Sequence, residues 1–511
     1  MYLHSLKLKN YRGFRGISEE IIFHGPNGEP GSGLNILVGE NNVGKSTILR
    51  AICFLHNSSF EEKNPASIAG KTTSTRSFDN SAEVGVIGEY AETSSDLMLH
   101  IIEVLIKPED RSVVEGLLTS NSHIRCRRIW QEDSDERKIS FLHEREGFNA
   151  EIRSVNSLDF WLRGMVRIHT FGWDDKFNND EASEFNKTCR RFLRNTLQKA
   201  EKTDEYRNLK NAFNSVFRNQ DSSLRHDIAE VEANITSQFQ TFFGEGSLHF
   251  EFEQPTMDQL LKSLALIIDL DCPLARAEHG QGAQRIAELA VLTAWALKEA
   301  DDEFLGLKIP FIFLLDEPEI YLHPRGQEKL LKALLEISRH HQVFVTTHSP
   351  LFLHSPNIRN ANLLLCRKEK DTIVVQQETE FARTFDYSPT WGEINWFAYN
   401  MPTIEFHNEL FSLLQELYGQ DTISDVDKRL KQSFGEMNEQ PAFYTWIRKT
   451  KNGDVAEPNR TLSYCVRNAI HHPENHSMGK DFVENNLKES INIMLRVIKH
   501  LRAKEEVQLA E

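Results

Sequence analysis

Apolar residues along this chain gather in short unbroken runs and in longer stretches with helical spacing. Leu34 to Val38 (LNILV), Phe311 to Leu315 (FIFLL) and Val343 to Thr347 (VFVTT) are runs of the first kind. They predict strands buried on both faces of a parallel sheet. The opening, MYLHSLKLKNYRGF, alternates apolar and basic residues and predicts a first strand, with Leu363 to Leu365 and Thr372 to Gln376 as closing strands. Helical spacing marks Glu181 to Phe243 (through Phe192, Leu197, Leu209, Phe213 and Phe217), Ile286 to Ala300, Thr403 to Tyr418, Arg460 to His472 and Asn485 to Ala503. Ser58 to Ser95, rich in Ser, Thr, Asn and Gly, predicts a mobile loop leading into a strand at Met98 to Ile106. Strands with intervening helices place the chain in the α/β class.

With 511 residues the chain holds more than one structural unit. No apolar run approaches the roughly 18 to 20 residues that span a bilayer, and the N-terminus has no apolar leader, so it reads as a cytoplasmic protein without a membrane partner. Its cysteines (Cys53, Cys126, Cys189, Cys272, Cys366, Cys465) form no Cys-x-x-Cys pair, which argues against a disulfide framework or a zinc ribbon. The formal net charge is −16, so nucleic acid would be reached through a partner or a local basic patch. Two such patches are Arg125, Arg127 and Arg128, and Arg190, Arg191 and Arg194.

The run LNILV leads into Gly39-Glu40-Asn41-Asn42-Val43-Gly44-Lys45-Ser46-Thr47, followed by an apolar helix. Strand, loop and helix are the setting that G-x-x-x-x-G-K-[ST] requires. Gly39 and Gly44 let the backbone wrap so that N–H groups, including those of Asn41 and Asn42, face a phosphate. A helix starting at Lys45 adds its positive end, Lys45 reaches the β- and γ-phosphates, and Ser46 can ligate Mg²⁺. Far downstream FIFLL ends in Asp316-Glu317. There Asp316 would hold Mg²⁺ and Glu317 would polarise the attacking water. VFVTT ends in His348, placed to contact the γ-phosphate.

These three motifs, with LKLKNYRGF and DEPEIYLHP (Asp316 to Pro324), resemble the ABC/SMC-type ATPase heads. More narrowly the chain is similar to the overcoming-lysogenisation-defect group and its relatives among bacterial anti-phage ATPases. The resemblance covers Met1 to about Lys107 and about Asp269 to Arg367. It implies an ABC-type P-loop head using ATP and Mg²⁺, and a homodimer or higher oligomer in which two heads sandwich two ATP molecules. Each site would be completed by a signature loop from the opposite subunit. The matching place is His279 to Arg285, with Gly280, Gly282 and Gln284 as candidate contacts; the family's signature serine is replaced by a Gly-x-Gly-x-Gln-Arg arrangement. The expected division is residues 1–107 and 255–380 for the two halves of the head, 108–254 for a short, largely helical insertion, and 381–511 for a C-terminal all-helical domain.

After His348 no stretch follows the strand–glutamate–glycine opening of a TOPRIM nuclease, and Asp425-Val426-Asp427 has no apolar strand before it. An ATPase with a helical tail resembles the ATPase subunit (PtuA) of Septu-type systems, which implies a separate HNH-type nuclease partner. The stretch VRNAIHHPENH (Val466 to His476) leaves a second reading open. Arg467 and His472 are spaced as in HEPN ribonucleases, with histidine as general acid/base and arginine stabilising the phosphorane. Equally, histidines at a helix C-terminus are favoured by its dipole. A third reading, an SMC-like DNA repair or bridging ATPase, fits the head, but the short insertion and the acidic charge weigh against it.

Overall fold

Alternation in the first residues and continuity in the later runs are both realised as strands in a computed structural model of the chain. It describes residues 1–56, 84–91, 111, 115–116, 118–121, 123–130, 137–143, 146–148, 166–171, 193, 201–243, 245–262, 267–269, 273–275, 279–299, 303–304, 307–308, 311–353, 358, 360–377, 384–388, 390–420, 422–450 and 453–510. Of the loop expected over Ser58 to Ser95, Val84–Ala91 is instead a strand with nearly every residue buried, and the rest lies outside the described residues, as do the strand expected at Met98 to Ile106 and the Arg190–Arg194 patch. The chain forms two compact units, Met1–Ile168 with Glu303–Glu317 and Gln327–Glu511, and His169–Asp302 with Pro318–Gly326.

In the first unit β1 (Tyr2–Lys9), β2 (Ile21–Ile22), β4 (Val84–Ala91), β5 (Ile124–Trp130) and β6 (Arg137–Leu142) make an antiparallel sheet in the order β2-β1-β4-β5-β6. The other sheet is built on β3 (Leu34–Val38), β7 (Phe311–Asp316), β8 (Gln342–Thr346) and β9 (Asn362–Glu369), which run parallel, with β10 (Thr372–Gln377) antiparallel to β9. Neighbours here run β10-β9-β3-β8-β7. Every residue of β3 and β8 is buried, as the unbroken apolar runs require. The Lys45–His56 helix adds Ile48, Leu49, Ile52 and Leu55 to the core, and the Pro324–Ile337 helix adds Leu330, Leu331, Leu334 and Leu335.

Polar side chains inside these strands fasten the sheets together. Gln342 accepts from Leu3 N at 2.9 Å and donates to Leu3 O at 2.8 Å, so its amide stands in for a paired strand residue. Asn35 does the same for His24, at 2.8 and 3.0 Å.

The arginines of β5 overturn one expectation. Arg125, Arg127 and Arg128 are buried, the last two almost completely, and form no surface phosphate patch. Arg127 donates to Phe148 O at 2.6 Å, Arg125 pairs with Glu89 at 3.4 Å, and Arg128 Nε donates to Leu55 O at 3.0 Å. The Leu55 carbonyl lies in the last turn of the Lys45–His56 helix, where a cation satisfies an orphan acceptor and suits the dipole. Three cations in seven residues suggested solvent; peptide carbonyls took its place.

Among the described residues of the tail, one hairpin interrupts the helices. Trp391–Tyr399, Ile404–Tyr418, Ile423–Glu436 and Leu462–His471 each begin at a threonine whose side chain accepts a backbone N–H of the first turn (Thr390, Thr403, Thr422, Thr461). With Phe482–Ala510 they enclose a core that includes Phe406, Leu410, Leu414, Val426, Leu430, Val466, Ile491 and Met494. Between them β11 (Tyr444–Thr450) and β12 (Gly453–Arg460) pair antiparallel, where the pattern predicted no strand and started a helix at Arg460. Only Trp446 of this hairpin is buried, so no alternation announces it. Asp427 is fully buried and takes Thr461 N and Oγ1, each at 2.8 Å, with Lys431 at 2.8 Å and Arg460 at 3.1 Å.

The stretch expected as a largely helical insertion, 108–254, is divided: β5 and β6 belong to the first unit's antiparallel sheet, and the residues described from His169 on belong to the other unit. Asp204–Phe217 and Ser223–Phe243 are helices of 14 and 21 residues, the longer about 32 Å in length. Phe213, Phe217 and Phe252 stack in sequence, with centroids 4.6 and 5.1 Å apart. The Gln281–Glu299 helix begins five residues before the expected Ile286, because the Gly280 carbonyl already accepts from Ala283 and Gln284.

Two buried histidines set the acid behaviour of the first unit. His56 bonds Tyr90 Oη at 2.6 Å, and His407 Nε2 meets Ser490 Oγ at 2.8 Å. Burial, helped by Arg128 near His56 and by Arg467 and His471 near His407, lowers both to about 3. The unfolded chain, with histidines near 6.5, therefore binds more protons than the native one between those values. Stability from both groups is fully present above pH 6.5 and falls as pH drops toward 3, by up to about 1.4 kcal/mol per pH unit per histidine. Denaturant titrations from pH 7 to 4.5 should show this slope, and His407→Leu should make it shallower.

Candidate nucleotide site

The loop after β3 depends on backbone conformations that L side chains avoid. Gly39, Asn42 and Gly44 have φ of 141°, 62° and 89°. A Cβ on Gly39 would stand 2.1 Å from Cys366 O, and one on Gly44 2.4 Å from Ile373 Cδ1, so the loop lies pressed against β9 and β10. Asn41 and Asn42 are exposed, while Ser46 and Thr47 are partly buried in the first helical turn. Lys45 is only 5% exposed, and its Nζ donates to Gly39 O at 2.9 Å and Glu40 O at 2.7 Å. The outcome is a buried ammonium at a helix N-terminus, inside a loop shaped by glycines. That donor set fits a polyphosphate.

The carboxylates of β7 arrive at the same place. Asp316 Oδ1 accepts from Ser46 Oγ at 2.8 Å and from Thr346 Oγ1 at 2.6 Å. A hydroxyl and a carboxylate side by side are hard oxygen donors of the kind Mg²⁺ takes. Glu317, one residue on, has φ of 45°. Its N–H meets Thr346 Oγ1 at 2.9 Å and Thr346 O at 3.1 Å, which secures that unfavourable backbone conformation. His348 Nε2 lies 3.5 Å from Glu317 Oε1, each side chain about one third exposed. Burial and then Lys45 lower His348 below its ordinary value, with Asp316 pulling the other way, so the neutral imidazole is favoured.

Two participants escaped the sequence reading. Thr346 joins Asp316 to Glu317, but threonine is common in strands and nothing in VFVTT marks the first one. Tyr399 lies in the tail, with its ring 6.2 Å from that of His348 and its hydroxyl donating to Thr347 O at 3.5 Å. No spacing rule connects it to the motif.

The remaining predicted residues belong to other elements of the chain. Gly280 precedes the Gln281–Glu299 helix, and Gly282 and Gln284 are in its first turn, within the other compact unit. Gln284 Nε2 donates to His279 O at 2.6 Å, and a Cβ on Gly282 would reach Tyr321 O at 2.9 Å. In the tail Arg467 turns its guanidinium over the Phe411 ring, 6.0 Å from the centroid. His472 is the C-cap of the same helix, exposed, with Nδ1 3.5 Å from Glu474.

Residues 1–163 and 165–353 match the family described as AAA ATPase domain. The Old nuclease of Escherichia phage P2 is 23% identical over 348 residues, covering 66% of this chain and 56% of that protein. The chain thus spans little more than half the length of this relative. Among solved structures, the SMC head domain from Thermotoga maritima is similar over 74% of this chain and 99% of its own (TM-score 0.33, 14% identity). An Smc head with an extended coiled coil bound to the C-terminal domain of ScpA, derived from Pyrococcus furiosus, covers 74% and 96% (TM-score 0.41, 16% identity).

Gly39→Ala should cost about 2–4 kcal/mol, from the positive φ and the clash together, and should weaken nucleotide binding at least tenfold. Gly435 is in a helix with nothing near its Cβ position. Gly435→Ala should instead be neutral or stabilising, by up to about 1 kcal/mol. Thermal melts and titration with a fluorescent nucleotide check both.

Proposed function

This chain belongs to the AAA ATPase domain family, and we propose that it works as an ABC-like, Mg²⁺-dependent ATPase that gates a separate nuclease in anti-phage defence. The carrying observation is the Ser46–Asp316 hydrogen bond, which joins residues 270 positions apart where the two motifs must meet. Lys45 and the N–H groups from Gly39 to Thr47 bind and orient the β- and γ-phosphates, with Asn41 and Asn42 at the open side of the loop. Ser46 and Asp316 are the residues that would hold Mg²⁺, which when bound neutralises phosphate charge. Glu317 aligns the attacking water and takes its proton. His348, kept neutral, donates a hydrogen bond to the γ-phosphate and senses its departure. Gly280, Gly282 and Gln284 act on the nucleotide of a second copy, which makes the active species a dimer or higher oligomer.

Gating is supported by the contact at Tyr399. It lies against His348 and Thr347, and its helix places Trp396 and Phe397 6.2 and 6.3 Å from Phe406 in the tail core. A change at His348 therefore has a packed route into the tail. The Old relative is named a nuclease, and by analogy with Septu-type systems we assign the nuclease here to an HNH-type partner chain.

Lys45→Ala should lower ATP affinity at least 100-fold in a fluorescent-nucleotide titration. Glu317→Gln should keep ATP bound, lower turnover by about 10²–10⁴ and accumulate dimer on size-exclusion chromatography. Unchanged turnover in Glu317→Gln would remove that residue from its assigned role. For gating, nuclease activity of the complex with its partner should respond to ATP, and the response should vanish in Lys45→Ala. If the chain alone cleaves RNA and His472→Ala abolishes the cleavage, the partner reading gives way to a ribonuclease within the tail.

A further inference from the structure

The antiparallel sheet carries a side-chain cluster that the nucleotide site does not use. Leu3 of β1 faces Tyr90 of β4 and Ser5 faces Glu89, so His4 is the extra residue of a bulge. Bulges re-aim side chains, and this one sets His4 beside Glu89. On the other side of β4, Glu89 faces Arg125 of β5. His123, just before β5, brings Nδ1 to 2.6 Å from Glu89 Oε1, and its ring lies 4.9 Å from that of His4. One ligand atom from each of His4, Glu89 and His123 falls within a 4.8 Å span.

We propose that His4, Glu89 and His123 form a binding site for a divalent transition-metal ion of the Zn²⁺ class. Two imidazoles and one carboxylate are a ligand set that Zn²⁺ accepts, with a fourth position for water. Ligand atoms about 2.0–2.1 Å from a tetrahedral ion stand roughly 3.3 Å from one another. That separation lies between the 2.6 Å His123–Glu89 contact and the 4.8 Å span, so small side-chain rotations close the site. Imidazole donors favour Zn²⁺ and its neighbours over the Mg²⁺ of the phosphate site.

The surroundings suit an ion. His123 and Glu89 are 15% and 16% exposed, enough for entry and little enough to hold the side chains in place. Arg125 Nε, 3.4 Å from Glu89 Oε2, orients the carboxylate by its second oxygen. Its positive charge opposes the ion, and Glu20, held by Ser5 Oγ at 2.6 Å, offsets it on the His4 side. Because the three ligands come from β1, β4 and the entry to β5, a bound ion would clip three neighbouring strands together.

The test uses untagged full-length protein, stripped with chelator and titrated with Co²⁺ in excess Mg²⁺ without nucleotide. The wild type should bind one equivalent with the visible d–d absorption of a tetrahedral centre, and Zn²⁺ should displace it. His4→Gln, His123→Gln and Glu89→Gln should each weaken binding at least tenfold while keeping the wild-type circular dichroism. Failure of the wild type to take up one equivalent of Co²⁺ or Zn²⁺ overturns the proposal. As a measurement independent of folding yield, Zn²⁺ should raise the melting temperature of the wild type but not of His4→Gln. An equal rise in both overturns it too.

Discussion

Asp316 Oδ1 is where the candidate nucleotide site is joined together, because two hydroxyls, Ser46 from the helix that follows β3 and Thr346 from the end of β8, converge on that single oxygen. The convergence works only if β3, β8 and β7 end level. Their register supplies this, with Leu37 beside Thr346 and Thr346 beside Asp316. Strands buried on both faces lack the polar-out alternation that usually fixes register. Here level ends follow from the loop that each strand must feed: glycine after Val38, two acids after Leu315, histidine after Thr347.

Alignment of the second sheet rests on buried amides. Gln342 and Asn35 lie inside otherwise apolar strands, where an unpartnered amide would cost about 1–3 kcal/mol. Both are satisfied by backbone of the β1–β2 region, Gln342 at Leu3 and Asn35 at His24. Asn362 extends the chain by donating to Asn35 Oδ1 at 2.9 Å. Any other placement of β1 would strand these groups, so the amides select one arrangement more than they add to its stability.

What could be read in advance follows the same logic. The α/β class and the meeting of the Lys45 loop with Asp316, Glu317 and His348 were legible because unbroken apolar runs mark the parallel strands at whose ends these residues stand. Thr346 was not, since its role depends on which strand lies beside which. The arginines of β5 were misjudged because a charge suggests water, whereas Arg128 found the end of a helix and Arg127 a loop carbonyl. The β11–β12 hairpin was invisible because a ribbon with a single buried residue has no hydrophobic period to detect. Likewise the start of the Gln281–Glu299 helix was set by the Gly280 carbonyl, a backbone partner that no side-chain pattern encodes.

The contact between His348 and the tail differs in kind from the bonds around it. Within the site the hydrogen bonds are short: 2.6 Å at Thr346–Asp316 and 2.8 Å at Ser46–Asp316. Within the tail they are short again, 2.8 Å at His407–Ser490 and at both Thr461–Asp427 bonds. Tyr399 reaches Thr347 O at 3.5 Å, the outer limit of a hydrogen bond. Bond strength falls with distance, so of these contacts the Tyr399 link is the one that yields at least cost. Coupling between sites requires an element with two positions whose balance both ends can bias. A compliant joint between two stiffly bonded bodies meets the mechanical part of that requirement. Glu317, held at positive φ by two bonds to Thr346, is the nearby group whose strained backbone could shift along with it.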